Sequence, residues 1–461
     1  MKFDMEWYVI FVAFLTSFFA VFLSNGVIVA VPTIATDFAM NNVIQNWIPT
    51  IIFLVVAVFT VPAGQISGKF GVKKSLLAGV IVYLIGSVGC VLSFSTEVFM
   101  FFRIVSGAGM SFLNVSSMAM VVSAVKPQNR GKALGFTVTG VYIATSLSPV
   151  ICGLLTYNFG WRAIFYVAIP FLVLCIALIV IKIPQEWQTY AEDSIDKIGS
   201  IIWAVGILAF VYGFTNLVNS TGVFLTVFGL IVIVAFVFYE LGQKSPVFNV
   251  KLFKNTKFLS SNVAALCSYL AIMVVTTILN YHFQYVRGWN TQMTGLMLII
   301  PPILQALLAP NMGKLSDKYN PQILSAIGMA VAACGLGILI FLDSTMPLYL
   351  VVIAMVLEGA GMGIFSSPNM NAIMSSVPPK DAPTASASQA AMRTIGQTMS
   401  LGMLTLVFAW IMGDLPMLAK YADLIIQGSQ LICIICTILC IIGIFSSLMG
   451  IRSKDKFNTQ R

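Results

Sequence analysis

Gly64-Gln-Ile-Ser-Gly-Lys-Phe-Gly-Val-Lys-Lys74 and Gly313-Lys-Leu-Ser-Asp-Lys-Tyr-Asn320 are the two stretches whose reading decides the fold. Both are Gly-x-[Ile/Leu]-Ser-x-Lys turns that follow a long apolar run. Outward from them, fourteen such runs can be marked, near residues 7–32, 46–63, 75–93, 98–123, 133–155, 163–181, 198–216, 223–240, 258–281, 292–312, 321–341, 348–376, 385–411 and 425–450. Each has about the ~20 residues that an α-helix needs to cross a bilayer. A soluble fold cannot hide so much continuous apolar surface. Helices in lipid can, because each satisfies its own backbone hydrogen bonds. The chain therefore reads as an all-α membrane protein with fourteen transmembrane helices.

The loops set the orientation. With the N-terminus inside, twenty of the 25 Lys and Arg residues fall in loops on that side, from Lys2 and the Lys69, Lys73, Lys74 turn through Lys126, Arg130 and Lys132 to Arg452 and Arg461. Only Arg162, Arg287 and Lys420 fall in the opposite loops, and Arg103 and Arg393 lie inside spans. Positive charge stays cytoplasmic, so both termini are expected in the cytoplasm. The net charge of +9 is thus a topology signal. Dispersed over short loops, it is no evidence for nucleic acid, and no nucleic-acid partner is expected. Charged residues make up 9% of the chain and apolar ones 59%, a membrane composition. The first span is too long for a signal-peptide core, so it reads as a mature helix. Short loops without targeting extensions suit a prokaryotic plasma membrane.

All eight Cys fall in spans. Cys433, Cys436 and Cys440 share one helix face, but no His or acid accompanies them. They read as small apolar fillers, and neither a metal nor a cofactor is expected. The longest internal loops, near 182–197 and 241–257, bracket two spans with few embedded polar groups. The expected division is a six-helix bundle at 1–182, a two-helix insert at 183–257 and a second six-helix bundle at 258–461. The two glycine turns then hold equivalent places in the two halves. Repeated halves around a central site mark secondary transporters.

Taken together, these motifs resemble the major facilitator superfamily, and within it the fourteen-span drug:proton antiporters. The first turn is similar to the superfamily's loop 2–3 motif, with Gly64, Gly71, Lys73 and Lys74 in place and Gly68 where an Asp is usual. The second copy keeps the acid as Asp317. Arg103-Ile-Val-Ser-Gly107 resembles the Arg-x-x-x-Gly pattern of span 4, and Gly160-Trp-Arg-Ala-Ile-Phe165 the start of span 6. The stretch from Gly359-Ala-Gly-Met-Gly363 through Pro368 and Asn369 to Arg393-x-x-Gly396-Gln397 is the most specific match. In span 5, Pro149 and Gly153 fit the antiporter pattern, but Ser148 and Cys152 replace glycines. In span 1, Leu23 replaces an acid, which removes one cavity charge from an organic-cation exporter. The resemblance implies two six-helix bundles plus two extra helices, alternating access, and proton-coupled export of amphipathic drug-like compounds by a monomer. It also implies conformational roles for the glycine turns, Asp317, Pro149 and Gly153.

Charged groups inside spans are the first candidates for mechanism, since one at mid-bilayer costs roughly 2.5–3.5 kcal/mol on insertion scales. Glu358 sits some ~18 Å into span 12 at 1.5 Å per residue, close to the midplane. A carboxyl there can take a proton from one side and release it to the other. The alternative is an acid bonded to a neighbouring Ser, Asn or Arg. Arg103, in span 4, either shares in proton coupling, as the resemblance implies, or snorkels to the outer headgroups. Gly359 and Gly363 form a small-x-x-x-small face for close helix packing and a candidate hinge of a rocking helix, not a nucleotide loop. Asn25, Asn114, Gln305, Asn369 and Asn371 are candidates to line a cavity or to bond between helices. His282, near the outer end of span 9, reads as an interfacial residue, with a pH sensor as the sharper alternative. The partners expected are a small molecule, protons and the bilayer. Transport of a lipid-like molecule or metabolite, with symport as one route, stays open, as does a non-transporting sensor. Catalysis is not expected, because no His cluster, metal-ligand set or nucleophile–base pair is present.

Overall fold

The computed structural model describes residues 5–126, 130–187, 196–217, 219–243, 250–316, 318–377, 382–413 and 415–451. These residues are almost wholly helical and include no strand. Fourteen helical spans are long and apolar enough to cross a membrane. The first eight are α1 (Met5–Asp37), α2 (Asn42–Phe70), α3 (Val72–Leu92), α4 (Thr96–Ala124), α5 (Arg130–Phe159), α6 (Ala163–Lys182), α7 (Lys197–Thr215) and α8 (Ser220–Gly242). Then come α9 (Thr256–Tyr281), a tenth span made of α10 (Thr291–Leu298) and α11 (Ile300–Ser316), α12 (Pro321–Leu339), α13 (Leu348–Ser375), α14 (Ala382–Met412) and α15 (Ala422–Ile451).

Short polar residues set many helix starts. The side chains of Asn41, Ser95, Asn255, Asn290 and Asn320 accept from backbone amides of the first turns of α2, α4, α9, α10 and α12. Each satisfies a donor that has no partner within its helix. Pro321 follows its cap at the first turn, where its missing N–H costs nothing. At the other end of α9 the chain widens into one π-helical turn, His282–Val286.

The chain forms two compact units. The first comprises Met1–Phe210, Val227–Phe236 and Trp289–Ile299; the second comprises Val211–Thr226, Val237–Gly288 and Ile300–Arg461. Within the first, α1 packs on α4, α5 and α6, α2 on α4, and α3 on α4 and α6. Within the second, α9 packs on α13, α14 and α15, α11 on α13, and α12 on α13 and α15. The pattern is the same, with α9 in the place of α1 and α11 to α15 in the places of α2 to α6. The echo between the two glycine turns is thus the visible end of a whole-unit repeat.

The repeat reaches single helix crossings. Gly107-Ala-Gly-Met110 in α4 returns as Gly359-Ala-Gly-Met362 in α13. A Cβ on Gly109 would lie 2.5 Å from the Tyr83 amide nitrogen of α3, and one on Gly361 would lie 2.5 Å from the Ala332 amide nitrogen of α12. Further along, a Cβ on Gly86 would lie 2.6 Å from the Ser106 nitrogen, and one on Gly335 would lie 3.0 Å from the Glu358 nitrogen. Backbones meet at these points because no side chain intervenes, which is how membrane helices gain packing without a hydrophobic driving force.

Candidate functional site

Glu358 lies on α13 at this crossing, in the place that Ser106 holds on α4. It is 4% exposed and has no hydrogen-bond partner among the described residues. Cys440 of α15 lies within its electrostatic reach. Gly359, next to it, faces α11, where a Cβ would lie 2.5 Å from Pro301 Cα. One turn on, a Cβ on Gly363 would lie 2.9 Å from Leu308 Cβ and 3.2 Å from Gln305 Cα. Glycines on two sides of α13 therefore hold the acid between α11 and α12. A carboxyl so placed can gain or lose a proton without breaking a protein hydrogen bond.

Arg103 is 1% exposed and belongs to the first unit. Its Nη2 donates to the Ile48 carbonyl of α2 at 3.2 Å, and its Nε has no acceptor. Tyr83 and Cys90 of α3 are its electrostatic neighbours. The guanidinium thus turns into the helix packing, whereas a snorkelling cation would expose its head. Among the described residues it has no ion-pair partner. Glu358 and Arg103 lie in different units.

Gly64–Lys74 reads as one turn in the sequence, but α2 runs on to Phe70, so Gly64 is helical, Gly71 alone separates α2 from α3, and Lys73 and Lys74 lie in the first turn of α3. A Cβ on Gly64 would lie 4.0 Å from Val115 Cγ1, an ordinary contact, so this position would accept a side chain. Gly71 has φ +110°, a region L-residues avoid, and a Cβ there would run into the Glu186 carboxyl. Glu186 Oε1 accepts the Lys73 amide at 2.8 Å, and Oε2 accepts the Lys74 amide at 3.1 Å. The Trp187 carbonyl takes the Val72 amide at 2.9 Å. An acid distant in sequence therefore caps α3, and the amides of the two lysines, not their ammonium groups, make these bonds. Asp317, in the second turn, lies outside the described residues.

Pro149 and Gly153 of α5 meet α10. A Cβ on Gly153 would lie 2.6 Å from the Thr291 carbonyl oxygen, and Gly295 sits against the Pro149 carbonyl. The candidate cavity residues divide. Asn371 donates to the Ser316 hydroxyl at 2.9 Å and carbonyl at 3.2 Å, tying α13 to the end of α11. Asn25, Asn114 and Gln305 are half-buried, Asn369 is buried, and none of the four has a hydrogen-bond partner among the described residues.

Two clasps escaped the sequence reading. Arg162 pairs with Asp37 at 3.0 Å and donates to the Val91 and Ser93 carbonyls at 3.2 and 3.0 Å. Its guanidinium also lies over the Trp161 ring, 4.2 Å from the centroid, while Trp161 Nε1 donates to Asp37. In the second unit His282 is buried rather than interfacial. Arg287 Nε donates to its Nε2 at 2.8 Å, and Arg287 Nη2 donates to the Met346 carbonyl. The π-turn brings the arginine back over the histidine, which draws the ring inside.

Fourteen apolar spans, a two-fold repeat and embedded polar side chains without partners define a multi-pass membrane transporter rather than an enzyme. Residues 13–401 match the family model of the Major Facilitator Superfamily, and the chain belongs to that family. It is similar to the riboflavin transporter RibZ of Clostridioides difficile, with 25% identity over 98% of this chain and 99% of the relative. The multidrug resistance protein Stp of Mycobacterium tuberculosis is 27% identical over 86% of this chain and 75% of that protein. In fold, the chain is similar to an inward-facing bacterial homolog of the human lysosomal transporter Spinster, with a TM-score of 0.71, 13% identity and 98% of each chain covered.

Proposed function

We propose that the chain is a proton-coupled exporter of amphipathic, drug-like molecules, of the fourteen-span drug:proton antiporter type. The observation that carries this reading is Glu358, an acid inside a span with neither counter-ion nor hydrogen-bond partner among the described residues. An acid in that position is costly and is retained where it does work, such as proton relay. In this reading Glu358 carries the proton and Arg103 tunes the path. The Gly64–Lys74 and Gly313–Asn320 turns, Pro149, Gly153, Gly359 and Gly363 are the parts that rock, between halves at 1–182 and 258–461 with an insert at 183–257. The protein works as a monomer in the plasma membrane with both termini in the cytoplasm. A second reading, transport of a riboflavin-like metabolite, is favoured by the likeness to RibZ over nearly the full length of both chains.

Proteoliposomes loaded with ethidium or riboflavin and given an imposed pH gradient test both. Wild type should move one of the two against its gradient. Glu358→Gln should keep downhill exchange and lose the pH-driven component. Undiminished coupling in that variant refutes the role of Glu358, and riboflavin movement without ethidium movement selects the second reading.

A further inference from the structure

The first helix carries a feature that neither the glycine crossings nor the embedded charges explain. α1 is enclosed by α2, α4, α5, α6 and α10. Between Val9 and Val31 its only residues that are not buried are Ile10, Phe11, Phe14, Phe18, Val21 and Asn25. From Phe11 to Asn25 the spacing runs three, four, three, four, which is one straight seam on a helix. The opening on α1 is therefore about one residue wide. α8 shows what a lipid-facing helix looks like in this protein. There Val223, Phe224, Val227, Phe228, Leu230, Ile231, Val234 and Phe238 are all exposed, over a broad face.

The seam is lined with rings in similar orientation. Trp7 stacks on Phe11 with centroids 5.2 Å apart and planes 20° from parallel. Phe14 and Phe18 lie 6.2 Å apart at 19°, and behind the seam the buried Phe22 backs Phe18 at 5.7 Å and 14°. Phe136 of α5 flanks the seam 4.9 Å from Phe14. At its far end Asn25 presents a half-buried amide with no hydrogen-bond partner among the described residues. No charged side chain lies on α1 between Trp7 and Asn25.

We infer that this seam is a stacking track for a flat, conjugated small molecule, uncharged or cationic, with Asn25 hydrogen-bonding its polar edge. Parallel rings select flat partners, and ring faces attract cations and repel anions. An opening one residue wide admits a plate more readily than a branched or propeller-shaped molecule. The inference rests on the reading of the chain as a small-molecule transporter and names the substrate class of that site.

Binding to the purified protein in detergent, with no gradient, tests the track separately from proton coupling and direction. The probes are ethidium and riboflavin, both flat, and tetraphenylphosphonium, a cation of propeller shape. Phe18→Leu keeps apolar bulk and removes the ring, and should weaken binding of a flat probe about 2- to 10-fold. Phe18→Tyr should stay within about twofold, and so should Phe224→Leu on the exposed face of α8. Tetraphenylphosphonium should bind weakly and ignore Phe18→Leu. The track is refuted if neither flat probe binds wild type, if Phe18→Leu changes nothing (the result expected for a lipid-facing ring), or if it weakens all three probes equally. Wild type that binds ethidium normally but shows no pH-driven transport would leave the track standing while removing the antiport reading.

Discussion

Gly335 and Gly337 lie two positions apart on α12 and make opposite demands. A Cβ on Gly335 would lie 2.7 Å from the Ala354 carbonyl oxygen and 3.0 Å from the Glu358 amide nitrogen, both backbone atoms of α13. A Cβ on Gly337 would meet nothing within 4 Å. Alanine gains about 0.8–1 kcal/mol over glycine in a helix interior, and that term is shared by the two substitutions. At 335 the gain is opposed by overpacking of about 1–3 kcal/mol, because neither backbone can yield without moving a helix. Gly337→Ala should therefore stabilise the protein by up to about 1 kcal/mol, whereas Gly335→Ala should be neutral or cost up to about 2 kcal/mol. The difference between the variants isolates the crossing. Thermal unfolding of both in the same detergent, followed by tryptophan fluorescence, measures it. Equal melting temperatures, or a higher one for Gly335→Ala, would refute the claim that bare backbone contact holds α12 to α13. Gly335→Ala should also impair pH-driven transport, since the displaced contact includes the amide of Glu358.

Two further outcomes follow from contacts at the loops. Glu186→Gln removes the charge from the pair of bonds that cap α3, and should lower stability by about 1 kcal/mol, within the range for lost helix caps and helix-dipole partners; an unchanged melting curve would mean that the cap does not hold the 183–187 segment. In the loop before α13, the Thr345 hydroxyl and then its amide donate to Asp343 and hold that carboxyl below its ordinary pKa. A carboxyl with a lowered folded-state pKa adds stability above the ordinary value, near ~3.9, and loses it as pH falls through the folded value. Wild type should thus out-melt Thr345→Val above about pH 4, with the gap closing in stronger acid, and a gap independent of pH would exclude Asp343 as its source.

Much of the architecture was readable because lipid imposes a simple code. Apolar runs of bilayer length separated by basic loops gave the spans, and the glycine turns at 64 and 313 pointed to the repeat. The four-residue Gly-Ala-Gly-Met match between α4 and α13 was harder to see, because it is embedded in apolar sequence that varies around it. The Glu186 cap left no local mark, since its partners Lys73 and Lys74 lie far away in the chain and its own segment is only mixed in charge. The α1 seam was hidden for a different reason. That helix is apolar on every face, so no polar side contrasts with Phe11, Phe14 and Phe18, and only packing reveals which face stays open. His282 misled because a single polar residue at a span end normally sits at the interface; Arg287, five residues on, supplies the bond that buries it.

The duplicated crossing also bears on energetics. Where α13 presents Glu358, the equivalent place on α4 is Ser106, so the repeat supplies one carboxyl and not two. If that acid is the carrier, each turnover is limited to one proton. A membrane potential supplies about 2.3 kcal/mol per charge per 100 mV, and a tenfold concentration ratio costs about 1.4 kcal/mol. One proton then sustains about a 50-fold gradient of a neutral solute per 100 mV, and about ten times more for each unit of pH difference. A monovalent cation exchanged for that proton moves no net charge and draws on the pH difference alone. On the proposed reading, an acid in one copy of the repeat and a serine in the other set a thermodynamic ceiling on the gradient that transport can sustain.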